Sequence, residues 1–146
     1  MVLAPCSPNR EHSLDAILQI CYTIANVSWE VVYTDEFEAW WSTLSDEQQE
    51  QIDAAVEVLE ERGPDLGRPL VETLSGSSLN NLKELRVTKG GALRVLFIFN
   101  PVRQAVLLCR GDKTGNWKGW YRNAIAEAER LYEVHLKEQK EEGLWP

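Results

Sequence analysis

The sequence predicts one α+β domain in which a helix hairpin and a C-terminal helix pack on a small antiparallel sheet. Three strand-like runs, 82–87, 92–99 and 105–109, follow one another closely and are joined by Gly- and Pro-containing hairpin signals. Two segments with helical spacing of apolar residues precede these strands, and a third follows them. The length of 146 residues and an apolar content of 44% suit one domain with one core.

The N-terminal residues 1–28 differ in pattern from the rest of the chain. Residues 13–25 have an apolar face and predict a short helix. This segment is either an added element that packs on the domain or an extension from an upstream start codon, and the sequence leaves both interpretations open. We therefore place the domain at residues 29–142, between an N-terminal extension (1–28) and a short tail (143–146).

The domain begins with a strand at 29–34, where aromatic and β-branched residues alternate with other types. Asp35 is the predicted cap of a short helix, and Ser45 with Gln48 has the capping-box pattern of a second. Gly63-Pro64 ends the second helix, and residues 63–81 form a connector. The final helix is predicted at 120–142. This order predicts a meander sheet covered by helices on one face.

The charge of the chain is strongly asymmetric. The net charge is −8, and residues 30–62 carry eleven acidic side chains against one arginine. Residues 83–122 carry nine cationic side chains against two acidic ones. Because local charge sets the local field, the second half can attract an anion although the whole chain is acidic. The pattern favours a local anion site over general coating of nucleic acid.

Single arginines interrupt the strand-like runs. Arg86 and Arg94 lie inside the first and second runs, and the third run ends in Arg110-Gly111-Asp112-Lys113. Strands normally place neutral polar residues on their solvent face, so repeated cations predict a basic face suited to a phosphate chain.

These runs carry a family resemblance. The segments Leu82-Lys83-Glu84-Leu85-Arg86, Leu93-Arg94-Val95-Leu96-Phe97 and Val106-Leu107-Leu108, with Gly111-Asp112-Lys113, resemble the RelE/ParE toxin superfamily. The resemblance is closest to the HigB-like branch of phage-derived host-inhibition proteins in bacterial toxin–antitoxin operons, and it covers roughly residues 29–136. It implies a RelE-like fold and ribosome-dependent, metal-independent cleavage of mRNA, in which the RNA 2′-hydroxyl attacks the phosphate.

The resemblance implies roles for five residues. Arg94 matches the arginine that opens the central strand, and a guanidinium can hold two phosphate oxygens. Arg86 stands where the family often has a cation, and a salt bridge to a helix carboxylate is the alternative role. Glu84 would orient an arginine or act as a base. Lys113 would stabilise charge or act as an acid, and Tyr121 loosely matches a family tyrosine.

Further residues are predicted to bind RNA. The loop 113–121 interleaves lysines with aromatic rings, which can contact the backbone and stack on unpaired bases. Trp120 is also suited to seat the last helix on the sheet. The predicted RNA-binding residues are Lys83, Arg110, Trp117 and Lys118.

Several classes of function are disfavoured. The two histidines, His12 and His135, lie outside the predicted site, which argues against an imidazole acid–base mechanism and departs from some HigB relatives. No spacing suggests a metal or a nucleotide cofactor, so we expect neither. The apolar stretch 17–27 is too short and too polar for a membrane span, and no signal peptide is recognisable. Three cysteines, an odd count, favour a reducing cytoplasm.

The leading hypothesis is the toxin of a type II toxin–antitoxin system that cleaves mRNA and inhibits translation. The alternatives are a ParE-like inhibitor of DNA gyrase and an inactive phage-derived interaction module. The expected partners are a helix-turn-helix antitoxin, the ribosome and mRNA, and no membrane.

Overall fold

A mixed sheet of six strands organises the fold. A computed structural model of the protein describes residues 4–5, 28–87, 93–112 and 117–143, without the side chains of 4–5, 111–112 and 117–118. The strands are β1 (Ala4–Pro5), β2 (Glu30–Tyr33), β3 (Val71–Thr73), β4 (Lys83–Val87), β5 (Leu93–Phe99) and β6 (Gln104–Asp112). The helices are α1 (Asp35–Trp41), α2 (Asp46–Arg62) and α3 (Trp117–Glu141), and a 3-10 turn spans Gly63–Asp65.

The strand order is β1-β2-β6-β5-β4-β3. Strands β4, β5 and β6 form the predicted antiparallel meander, β3 extends it beside β4, and β2 joins it parallel to β6. The connection between these two parallel strands consists of α1, α2 and strands β3 to β5. Parallel neighbours require a long connection of this kind. The predicted α+β fold is therefore confirmed. The sheet is mixed because β2, the first strand of the domain, lies parallel to β6, the last strand.

Helices cover both faces of the sheet, so the prediction that they cover one face is wrong. The α1–α2 hairpin packs on one face, around Phe37, Ile52 and Val95. Helix α3 packs on the other face, where Ala128 and Leu131 meet Leu96 and strand β6. The physical reason is visible in β5, whose residues from Leu93 to Ile98 are all buried. A strand buried on both sides needs a cover on both sides.

The starts of α1 and α2 follow their sequence signals with one shift. Ser45 and Gln48 form the predicted capping box of α2. The cap of α1 is Thr34, not the predicted Asp35, because the Thr34 hydroxyl accepts from the Phe37 amide at 3.2 Å. The same hydroxyl donates to the Leu108 carbonyl at 2.6 Å, which ties α1 to β6.

The start of the domain is held by Trp29. Its amide donates to the Glu60 carbonyl at 2.9 Å, and its ring contacts Phe99 edge-on with centroids 4.9 Å apart. Gly63 lies so close that an added Cβ would be 2.3 Å from the Trp29 indole nitrogen, and its φ is +56°. A glycine is needed there both for space and for backbone conformation.

Helix α3 begins at Trp117, three residues before its predicted start. The predicted turn at 100–103 joins β5 to β6, whereas the predicted helix at 13–25 and the turn at 89–91 lie outside the described residues. No helix formed by the described residues has both the length and the apolar character to span a membrane.

Candidate functional site

A cluster of charged side chains lies on the α3 face of the sheet. Strand alternation places Glu84 and Arg86 of β4 on this face, together with Arg94 of β5, while Leu85 and Val95 point to the α1–α2 hairpin. In the register of the two strands, Arg86 lies directly opposite Arg94. The sheet thus brings together two cations that are eight positions apart in sequence.

Glu84 is the anion of this cluster. Its side chain is only 1% exposed, and a carboxylate at such depth needs partners. Tyr121, from the first turns of α3, donates its hydroxyl to the Glu84 oxygens at 3.1 and 2.9 Å. The Nε atoms of Arg86 and Arg94 lie 3.7 and 3.9 Å from Glu84 Oε1. These two contacts are ion pairs and are too long for hydrogen bonds.

Arg94 is more deeply buried than the sequence indicated. We expected it to face a bound phosphate, away from the core, but its side chain is 7% exposed beneath α3. Its NH1 group donates to the Leu93 carbonyl at 3.1 Å, and its Nε has no hydrogen-bond partner among the described residues. Arg94 is therefore a buried part of the sheet whose guanidinium is only partly hydrogen-bonded.

Arg86 is more accessible, with 28% of its side chain exposed. Its NH1 group contacts Glu72 of β3 at 3.3 Å, and Glu72 also pairs with Arg68. The buried Arg86 Nε has no hydrogen-bond partner among the described residues. Its alternative role as a partner of a carboxylate is thus part of the structure, although the carboxylates belong to strands and not to a helix.

Tyr121 keeps its proton at neutral pH. Burial, and then the hydrogen bond to Glu84, raise the pKa of Tyr121 to about 12. The opposing effect of the nearby Arg94 charge is smaller. Tyr121 is thus a hydrogen-bond donor in this cluster, and a phenolate base is disfavoured.

The cluster has the chemistry of an oxyanion site. Two guanidinium groups and one phenol converge on the Glu84 carboxylate, and the buried Nε atoms of both arginines have no hydrogen-bond partner among the described residues. Guanidinium groups in a poorly solvated site bind phosphate oxygens strongly and stabilise charge that develops during phosphoryl transfer.

The other predicted residues either lie apart from this cluster or are not described by the structure. Lys83 shares a strand face with Leu85, opposite to Glu84, and its Nζ donates to Thr73 at 2.8 Å. Arg110 is exposed in a groove of about 590 Å³ between α1 and α3 that contains none of the cluster residues. Lys113 lies outside the described residues, and Trp117 and Lys118 open α3 with side chains that are not described.

Glu72 is the cluster member that the sequence analysis missed. It belongs to the three-residue strand β3, inside the segment interpreted as a connector. Its sequence signal is the alternation Val71-Glu72-Thr73, with a buried valine beside a half-buried glutamate. Such a short run between Gly- and Pro-rich segments is a weak strand signal.

Comparison with known proteins gives consistent matches. The family described as "Phage derived protein Gp49-like (DUF891)" matches residues 39–133, a range that includes the whole cluster. A Mycobacterium tuberculosis protein named "Putative toxin HigB2" is 40% identical over 136 residues, which cover 92% of this chain and 67% of that protein. Another protein of that organism, named "Putative toxin HigB3", is 42% identical over 106 residues, covering 73% of this chain and 92% of its own.

Proposed function

The chain belongs to the Gp49-like family of phage-derived proteins, and we propose that it is the HigB-like toxin of a toxin–antitoxin system that cleaves mRNA on the ribosome. The toxin assignment follows the names of two relatives that match most of their own length. The nuclease assignment rests on one observation, the direct pairing of Arg86 with Arg94 beneath Tyr121.

The proposed chemistry is an in-line transfer that needs no external reactant. The RNA 2′-oxygen attacks the adjacent phosphorus as its proton passes to solvent water, the bond from phosphorus to the 5′-oxygen breaks, and that oxygen takes up a proton, which leaves a cyclic phosphate and a 5′-hydroxyl. Arg86 and Arg94 stabilise the negative charge that accumulates on the phosphate oxygens. The single Tyr121 proton, donated to Glu84 in the free protein, would pass to the leaving 5′-oxygen when the hydroxyl turns from Glu84 to that oxygen, and the phenolate would then regain a proton from solvent.

The decisive experiment is induction of the chain in bacteria followed by mapping of new mRNA 5′ ends. Cuts in frame within translated messages support the proposal. DNA damage without mRNA cuts supports the ParE-like alternative, and neither effect in a folded, expressed protein supports an inactive interaction module.

Arg94→Lys tests the site within the same assay. Lysine keeps the buried positive charge beside Glu84 but lacks the planar, multidentate donor group. Loss of one preorganised donor costs about 10²–10³ in rate, so growth inhibition and mRNA cuts should disappear while the protein stays folded. Arg62→Lys, at an exposed position in the last turn of α2, is the matched control and should remain toxic. Full toxicity of a folded Arg94→Lys protein removes Arg94 from the catalytic site.

The proposed partners follow from the same function. A small helix-turn-helix antitoxin encoded beside this gene should cover the cluster or bind the acidic α1–α2 hairpin. Co-expression of the adjacent gene should restore growth and yield a complex that copurifies with this chain. If no adjacent gene does either, the operon interpretation is wrong.

A further inference from the structure

Four charged side chains form an alternating array across strands β3, β4 and β5. Glu72 lies directly opposite Glu84, and Arg86 lies directly opposite Arg94. The ion pairs run along the strand and along the diagonals: Arg86 contacts Glu72 at 3.3 Å and Glu84 at 3.7 Å, and Arg94 contacts Glu84 at 3.9 Å. Like charges directly across two strands are unfavourable, so each pair depends on the other for neutralisation.

The two arginines have Nε donors that lie near one oxygen without bonding to it. The Nε atoms of Arg86 and Arg94 are buried, and neither has a hydrogen-bond partner among the described residues. Both lie within 4 Å of Glu84 Oε1, but beyond hydrogen-bond distance. A buried donor without an acceptor is costly. Glu84 therefore neutralises charge on the arginines without accepting a hydrogen bond from either Nε. An added oxyanion would supply the missing hydrogen-bond acceptor.

We propose that Glu84 is the internal counter-anion of the phosphate site, and that it competes with a bound phosphate for Arg86 and Arg94. This inference rests on the proposed function, because it takes the arginine pair as the place where the RNA phosphate binds. Glu84 is in this view a positioning residue: it orients both guanidinium groups before the substrate arrives and weakens their attraction for any isolated anion.

The competition has a consequence for the substrate. The charges of Arg86 and Arg94 are already matched by Glu72 and Glu84, so a phosphate that enters competes with two carboxylates. Arg68, which also pairs with Glu72, is largely exposed and compensates little. An isolated phosphate group or a short free RNA therefore binds weakly. Stable binding requires contacts elsewhere along an RNA that is already held in place, as it is on a ribosome.

The test measures the affinity for inorganic phosphate in the purified full chain. Glu84→Gln keeps the shape of the side chain and an oxygen for the Tyr121 hydroxyl, but removes the charge. Because unit charges about 4 Å apart interact by more than the thermal energy even in water, we expect phosphate to bind at least ~fivefold tighter. Glu61→Gln, an exposed glutamate of α2, changes the net charge equally and should leave the affinity unchanged. Equal or weaker binding by folded Glu84→Gln overturns the proposal.

A second measurement needs no variant. In the ¹⁵N-labelled wild-type protein, the Nε–H resonances of Arg86 and Arg94 should both shift when phosphate is added to saturation, as each donor gains an acceptor. If both resonances stay unchanged at saturation, the counter-anion proposal is wrong even if Glu84→Gln cannot be purified.

Both measurements are independent of RNA cleavage, so they separate this inference from the proposed function. Tighter phosphate binding in Glu84→Gln without any mRNA cuts by the wild type supports the counter-anion and removes the nuclease. In-frame mRNA cuts combined with unchanged phosphate affinity support the nuclease and remove the counter-anion.

Discussion

Tyr121 joins the last helix to the charged array through a single hydroxyl group. Replacing it with phenylalanine keeps the ring but removes the donor to both oxygens of the buried Glu84. An unsatisfied buried acceptor costs about 1–3 kcal/mol, and we expect Tyr121→Phe to lose that much stability in urea unfolding. Equal stability of the two proteins would mean that this hydrogen bond contributes nothing to the fold.

The same substitution changes the alkaline stability of the protein. The pKa of Tyr121 is raised from 10.0 to about 12, so the unfolded chain loses this proton before the folded one. The wild type therefore loses stability as pH rises from 10 toward about 12. In Tyr121→Phe this loss should be smaller, and identical slopes for the two proteins above pH 10 would contradict the assignment.

The burial of His135 predicts a loss of folding stability at acid pH. It is 5% exposed within α3, its ring stacks on Tyr132, and burial lowers its pKa below 6.5. The folded state thus holds the neutral form, and its contribution to stability is complete above pH 6.5 and is lost as pH falls through the lower folded pKa. The stability advantage of the wild type over His135→Gln should therefore shrink between pH 7 and 5. A constant difference in urea unfolding across this range would contradict it.

At the scale of elements, the two caps of the helix hairpin differ in what they support. Ser45 satisfies only the start of α2, and Ser45→Ala should cost about 1 kcal/mol. Thr34 caps α1 and also donates to the Leu108 carbonyl, so Thr34→Val removes both a cap and a buried hydrogen bond to β6. We expect Thr34→Val to be the more destabilising of the two in thermal or urea unfolding. The reverse order would show that the contact with β6 is unimportant.

Elements with strong local signals were predictable, and those defined by tertiary contacts were not. Ser45 and Gln48 predict the capping box of α2, and the short turns between apolar runs predict the meander. The covering of both faces depends on where α3 returns, which its own apolar spacing does not specify. Strand β3 was missed because three residues carry little pattern and gain their structure from pairing with β4.

The site was predictable in its residue types and not in its geometry. The sequence suggested that Arg86, Arg94, Glu84 and Tyr121 belong together, and the structure places them in contact. Their catalytic roles remain predictions. The burial of Arg94 was missed because strand alternation identifies a face without identifying what covers it. Lys83 was assigned to the site by charge alone, and alternation puts it on the other face.

At the scale of the molecule, the N-terminal residues test the boundary of the domain. Trp29 is anchored by Phe99, by the Glu60 carbonyl and by Arg103, whose guanidinium lies 4.5 Å from the ring centroid. By contrast, β1 pairs only with the outer edge of β2.

A protein that starts at Val27, with an added methionine, should keep the fold and the toxicity. A modest stability loss is compatible with docking of residues 13–25, since each fully buried Leu or Ile contributes ~1.5–3 kcal/mol. An insoluble or unfolded product would place these residues in the core.

The pairing of β2 with β6 also means that the sheet can be completed only late in the synthesis of the chain. Glu30 and Gln104 are 74 positions apart, so a growing chain carries β2 without its neighbour until β6 has been translated. Tyr121 and the rest of α3 emerge later still, and without them the face around Leu96 and Ile98 lacks its cover. A nascent chain therefore holds an incomplete arginine cluster on an unfinished sheet. If the proposed target is the translating ribosome, we expect this order of assembly to delay activity until the chain is nearly complete.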